Sequence, residues 1–323
     1  MKTIATLLIS FCILSISAQN LGKFSFKDEG FTQKKFNHTE KKIYIKSFSI
    51  NYQTVMIEYA KARGGTNYGS ATAGLALGLD NIDPEKLQQI TDKYYKEFVE
   101  KLKAEGFTIV TAEKVSQNEN YNNLQLYKGG NPSMDVIADG YLTTVPTGVS
   151  FLQHKNNPLN LGGMPDSKNL NGVIVCGVNL VIPFAQTREI NGGPVGGVAK
   201  ITAKCDLRIS PSETLPAKGD FRKPKILLTD VTFGYKESLK WQALSRTKLS
   251  KPLEVENVLD EEKKYKATSV STTGSSFSAR YSKAYAKNAI LVPCDSVKYR
   301  NGVSLAIDKY LSTASENFLG SFK

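Results

Sequence analysis

Leu87, Ile90, Tyr94, Phe98 and Leu102 recur at three- and four-residue steps, a spacing that predicts one long helix with a single apolar face. Both of its ends are marked. Asp83 is a favourable N-cap, Pro84 suits the first helical position, and Gly106 suits a left-handed exit. Phe107 to Val110 then reads as a buried strand. A second stripe, formed by Tyr299, Val303, Ile307, Tyr310, Ala314 and Phe318, predicts a closing helix over residues 296–318. Ile307 and Tyr310 are expected inside it and Lys309 outside, with Gly302 as its weak point.

Other stretches alternate with a period of two. Ile43, Ile45, Phe48 and Ile50 alternate with lysines and serines and predict a strand at residues 42–50. Residues 172–184 are apolar on both faces, as in a buried central strand. From 199 to 209 the alternation is clean: Ala199, Ile201, Ala203, Cys205, Leu207 and Ile209 face one way. Lys200, Thr202, Lys204, Asp206 and Arg208 face the other. Asn191-Gly192-Gly193 is a turn signal, so 172–209 reads as one long hairpin. Residues 134–144, with a bend at Asp139-Gly140, and residues 225–235 and 289–292 read as further strands. Residues 52–63 read as a short helix and 64–79 as a flexible insertion. Residues 113–131 and 146–171 read as loops, and 253–266 as a charged surface crossing. The expected fold class is therefore α/β (α+β-like), with a mixed or antiparallel sheet, a long central hairpin and helices packed on one face. A loose N-terminal arm, 19–40, precedes a single domain, 41–323.

The hairpin bears on the cysteines. If it turns about residues 190 and 191, Cys176 and Cys205 stand directly opposite each other on one face, about 4.5 Å apart at Cα, which a disulfide tolerates. A turn one residue later puts them on opposite faces, and two packed free thiols are then the alternative.

Composition adds a compartment. Lys2, the apolar run Ile4 to Ile16 and the small pair Ser17-Ala18 have the layout of a secretory signal peptide over residues 1–18. No later stretch is long and apolar enough to predict a membrane-spanning helix. Lys and Arg number 42 against 30 Asp and Glu, a formal net charge of +12, and such an excess favours anionic partners. In an exported chain these are anionic envelope components; nucleic acid is not expected. Export also permits disulfides.

Candidate chemistry is sparse. The chain has no GxSxG, HExxH, GxGxxG or phosphate-loop spacing. Asp135 and Asp139 lie four apart on a predicted strand, about 13 Å between side chains, too far for a concerted carboxylate pair; they read as turn or edge acids. His38 and His154 supply neither a catalytic dyad nor, with the cysteines, a zinc site. Ser245 and Lys248 fit S-x-x-K without its partner motifs. No catalytic, cofactor-binding or metal-binding residue is expected. The chain is read as an exported, non-enzymatic protein of the periplasm or outer membrane with a role in assembly, transport or binding. A carboxylate-dependent hydrolase and a structural or adhesive surface protein are the alternatives.

The order of elements carries a resemblance. The strand KIYIKSFSI, an insertion, a glycine-terminated helix, FTIV, the strand DVIADGYL, long antiparallel strands and a terminal helix follow one another. This succession resembles the curli-secretion outer-membrane channel family and related periplasmic α/β domains. The resemblance implies a homo-oligomer and a pore. The family's lipid-anchor cysteine has no counterpart here.

Overall fold

The fold is seen in a computed structural model that describes residues 19–62, 71–154, 167–170, 172–192, 198–215, 225–237, 242–270 and 289–323. Strands are numbered in chain order. β2 (Lys42–Gln53) and β10 (Ile174–Ile182) run parallel, side by side, in the middle of an eight-stranded mixed sheet. Beyond β10 come β16 (Asp230–Lys236), β17 (Gln242–Lys251) and β1 (Ser25–Phe31), each antiparallel to its neighbour. Beyond β2 lie β5 (Thr108–Val110), β8 (Tyr141–Thr144) and β7 (Ser133–Met134). β2 and β10 are apolar on the face that meets helices, as their runs of Ile, Phe, Leu and Val require.

Two long helices pack on that face and on each other: α1 (Pro84–Ala104) and α3 (Ser296–Gly320). The Asp83 carboxylate accepts from the Glu85 N–H at 2.9 Å, and Gly106 leaves α1 at a φ of 86°. Leu87, Ile90, Tyr94, Phe98 and Leu102 are all buried. Asp295 caps α3, accepting from the N–H groups of Val297 and Lys298. Tyr299, Val303, Ile307, Tyr310, Ala314 and Phe318 are buried, while Lys309 is exposed. Gly302 is a point of close approach rather than a weak point. A Cβ there would lie 2.8 Å from Val258 and 2.9 Å from Leu207. On the opposite face of the sheet, α2 (Ala112–Ser116) and the hairpin of β6 (Leu124–Lys128) with β9 (Ser150–His154) cover Tyr44 and Val175.

At one end of this sheet the chain builds a second layer pair. β3 (Val55–Ala62), β4 (Ala71–Leu79) and β20 (Ile290–Val292) form one three-stranded sheet. β11 (Ala185–Gly192), β12 (Val198–Cys205) and β19 (Lys264–Val270) form another that packs against it. β13 (Leu207–Ile209) with β18 (Leu253–Val255), and β14 (Ser212–Leu215) with β15 (Lys225–Leu228), complete the strands.

Several expectations are corrected. The fold is mostly β, 47% strand against 27% helix among the described residues, so it stands nearer all-β than α/β. The 172–209 stretch is not one hairpin. Pro183 has no N–H to donate and closes β10, which needs neighbours on both sides and finds them in β2 and β16. The hairpin begins afterwards, with Ala185 opposite Cys205. Cys176 lies between Ile45 and Phe233 in the large sheet, so Cys176 and Cys205 occupy different sheets and both are free thiols. Residues 55–62 are a strand, not a helix, and 71–79 its antiparallel partner, not a flexible insertion. Leu253 and Val255 are buried in a strand rather than part of a surface crossing, and the 19–40 arm holds β1 and the fully buried Phe36. β20, expected as a short buried strand, buries only Val292, while Ile290 and Leu291 are 48% and 61% exposed. The candidate signal peptide, 1–18, lies outside the described residues.

Candidate functional site

The two layer pairs meet where β2 and β10 leave the large sheet. Gln53 ends β2, and its side-chain oxygen accepts from the N–H groups of Phe184 and Ala185 at 3.2 Å each. The returning strand passes the same point. Asp206 donates its N–H to Phe184 O and Arg208 donates to Pro183 O. Their side chains are 2% and 4% exposed. The Arg208 guanidinium donates to the Asp206 carboxylate, to Ala185 O at 3.1 Å and to Glu213 at 3.4 Å. Asp206 also accepts from the Gln186 amide and has Lys204 at 3.6 Å and Arg188 at 3.8 Å. This buried, hydrogen-bonded cluster holds the crossing together. It also engages both Asp206 and Glu213 through Arg208. Burial, with Asp206 adding its charge, pushes the adjacent Cys205 thiol up to about 12, so this thiol is inert.

Outward of the cluster, β12 and β19 show a cationic face. Ala199, Ile201, Ala203 and Cys205 point inward and are fully buried. The alternate residues Lys200, Thr202 and Lys204 therefore face out. Register places Thr268 opposite Lys200, Lys266 opposite Thr202 and Lys264 opposite Lys204. Four lysines thus surround one threonine. Lys264 and Lys266 are exposed, Lys200 and Lys204 half-buried. Lys204 is drawn to Asp206, but among the described residues Lys200, Lys264 and Lys266 make no ion pair. Glu189 is the acid registered opposite Thr202 on β11. Thr202 is 7% exposed, and its hydroxyl has no hydrogen-bond partner.

A second polar row lies on the large sheet, on the face away from α1 and α3. Asn179 Oδ1 accepts from Ser49 at 2.8 Å and Asn51 at 2.9 Å, Asn51 Oδ1 accepts from Thr143 at 2.9 Å, and the Asn179 amide donates to Leu228 O. Nearby, Arg246 Nε donates to Asp230 at 2.8 Å. Lys46 sits at a bulge between Ile45 and Ser47, its ammonium lowered by burial while Asp230 opposes the shift. The side chains of this row answer one another.

The residues singled out from sequence do not converge. Asp135 is a turn acid at a φ of 57° whose carboxylate accepts from the Gly140 N–H at 2.7 Å. Ser245 is buried toward α3, while Lys248, on the other face of β17, pairs with Glu29 at 2.7 Å. His38 closes a short 3-10 turn, and His154 ends β9 opposite Leu124. Among the described residues no three His, Cys, Asp or Glu side chains group as a metal site would require. The buried Asp206–Arg208 pair was missed because alternation placed both on the lysine face. Opposite charges two apart on one strand face were the available signal. No protein-family model matches the chain, and no curated protein matches it.

Proposed function

We propose that this is an exported, non-enzymatic envelope protein that works by binding, in assembly or transport at the periplasm or outer membrane. The observation that supports it best is the cationic face of β12 and β19, where Lys200, Lys264 and Lys266 make no ion pair among the described side chains. The leader-like residues 1–18 bring such a face to anionic envelope material. The resemblance to the curli-secretion channels, taken from the order of elements read in the sequence, suggests the same reading. A ring assembly of that kind would elute from a sizing column far above monomer mass. Cell fractionation with N-terminal sequencing tests the proposal. A processed chain starting near residue 19 and sedimenting with envelopes is expected; an unprocessed cytosolic chain contradicts it.

A further inference from the structure

The four lysines are spread over one face of the sheet. Lys200 and Lys204 stand about 13 Å apart along β12, and the β19 lysines lie one strand spacing away, about 4.8 Å. Such a set does not converge on one small anion; it matches an extended array of negative charge. Two details narrow the class. Val198 shares the outward side of β12 with Lys200 and is 43% exposed, so the face has an apolar end beside its cationic body. A membrane interface takes up both parts, whereas a soluble polyanion gains only from the charges. Thr202 is the second detail: its buried hydroxyl has no hydrogen-bond partner, and register places Lys266 directly opposite it. When the ammoniums reach outward, the lysine stems lift and that hydroxyl can donate to a phosphate oxygen.

The registered pair Lys204 and Lys264 points the same way. Like charges directly opposite destabilise a sheet, and Lys264 makes no ion pair among the described residues. We infer that the outer face of β12 and β19 docks on an anionic lipid surface, with Lys200, Lys264 and Lys266 at headgroup phosphates and Val198 at the apolar boundary. This rests on the reading that the protein works in the envelope.

Vesicle flotation of the protein purified after export tests the inference, using phosphatidylglycerol in phosphatidylcholine against phosphatidylcholine alone. Wild type should float with the anionic vesicles only and be released by salt. Lys200→Gln with Lys266→Gln should weaken binding by about tenfold or more. Lys96→Gln with Lys103→Gln, on exposed positions of α1, removes the same charge elsewhere and should leave binding within about twofold. Val198→Ser should weaken the part that resists salt. Unchanged melting curves show that the variants fold. Equal flotation of wild type and the β12–β19 variant, equal loss in the α1 control, or equal binding to neutral vesicles overturns the assignment. Capture of soluble polyphosphate by the same lysines without flotation overturns it in favour of a polymer. Failure to float by a protein that still fractionates with envelopes sinks this inference alone; a cytosolic chain sinks the reading beneath it.

Discussion

Two polar rows run along strands of this protein with the same period of two, and they differ in what answers them. On β2 and β10, Ser49, Asn51 and Asn179 are tied to one another, to Thr143 and to backbone carbonyls, and Ser49 and Asn51 are fully buried. On β12 and β19, Lys200, Lys264 and Lys266 make no ion pair among the described side chains, and the hydroxyl of the threonine between them has no partner. Alternation alone reports which side a residue faces. Whether the row holds the fold together or waits for something outside depends on the neighbours.

The comparison can be broken at several points. The largest effect is expected at the crossing that sets the basic sheet in place. Asp206→Ala leaves a buried guanidinium without its main partner and should cost about 3–5 kcal/mol, read as a fall in the denaturation midpoint. Loss of little or nothing would show that the cluster is solvated. Asn179→Ala should cost about 1–3 kcal/mol, because Ser49 loses its acceptor inside the fold. If stability is unchanged, the closed row is not closed. Lys264→Thr works in the opposite direction. Removing the like charge opposite Lys204 should raise stability by about 0.2–1 kcal/mol, and a fall would mean that Lys264 is paired after all.

The smallest effect concerns lysines that are answered. Glu29 accepts from Lys248 and Lys27, which lower its carboxyl from 4.5 to about 2. A depressed carboxyl stabilises fully above its unfolded value and loses that contribution as pH falls from about 4.5 to about 2. Glu29→Gln should therefore flatten acid sensitivity in that window and nowhere above it, as acid titration of the melting temperature will show. The group is only half-buried and screened by solvent, so the change is small.

Much of this architecture was legible. Both long helices are announced by 3.6-residue stripes, the first also by its capping residues, and alternation gives the inward set of β12. The buried character of residues 174–182 was legible too. Neighbours were not legible, because alternation fixes a strand's face and says nothing about its partner. Pro183 was the overlooked sign that β10 ends before the hairpin begins. β4 was hidden by its own composition: ATAGLALGL has too few large side chains to show a period, yet Ala73, Leu75 and Leu77 all enter the core. The mostly β character stayed hidden because β4 shows no period and because 55–62 reads as helix. The ionic crossing stayed hidden because Asp206 and Arg208 continue the lysine parity after the strand has changed sheets.

The claim that separates the two rows is that the lysines of β12 and β19 serve something outside the fold. Parallel measurement of melting temperature and anionic-vesicle affinity for Lys200→Gln with Lys266→Gln tests it most directly. The account predicts an affinity about tenfold weaker or more with a melting temperature unchanged or higher. A melting temperature that falls while affinity stays at the wild-type value would make this row structural, like the one on β2 and β10, and would contradict the account.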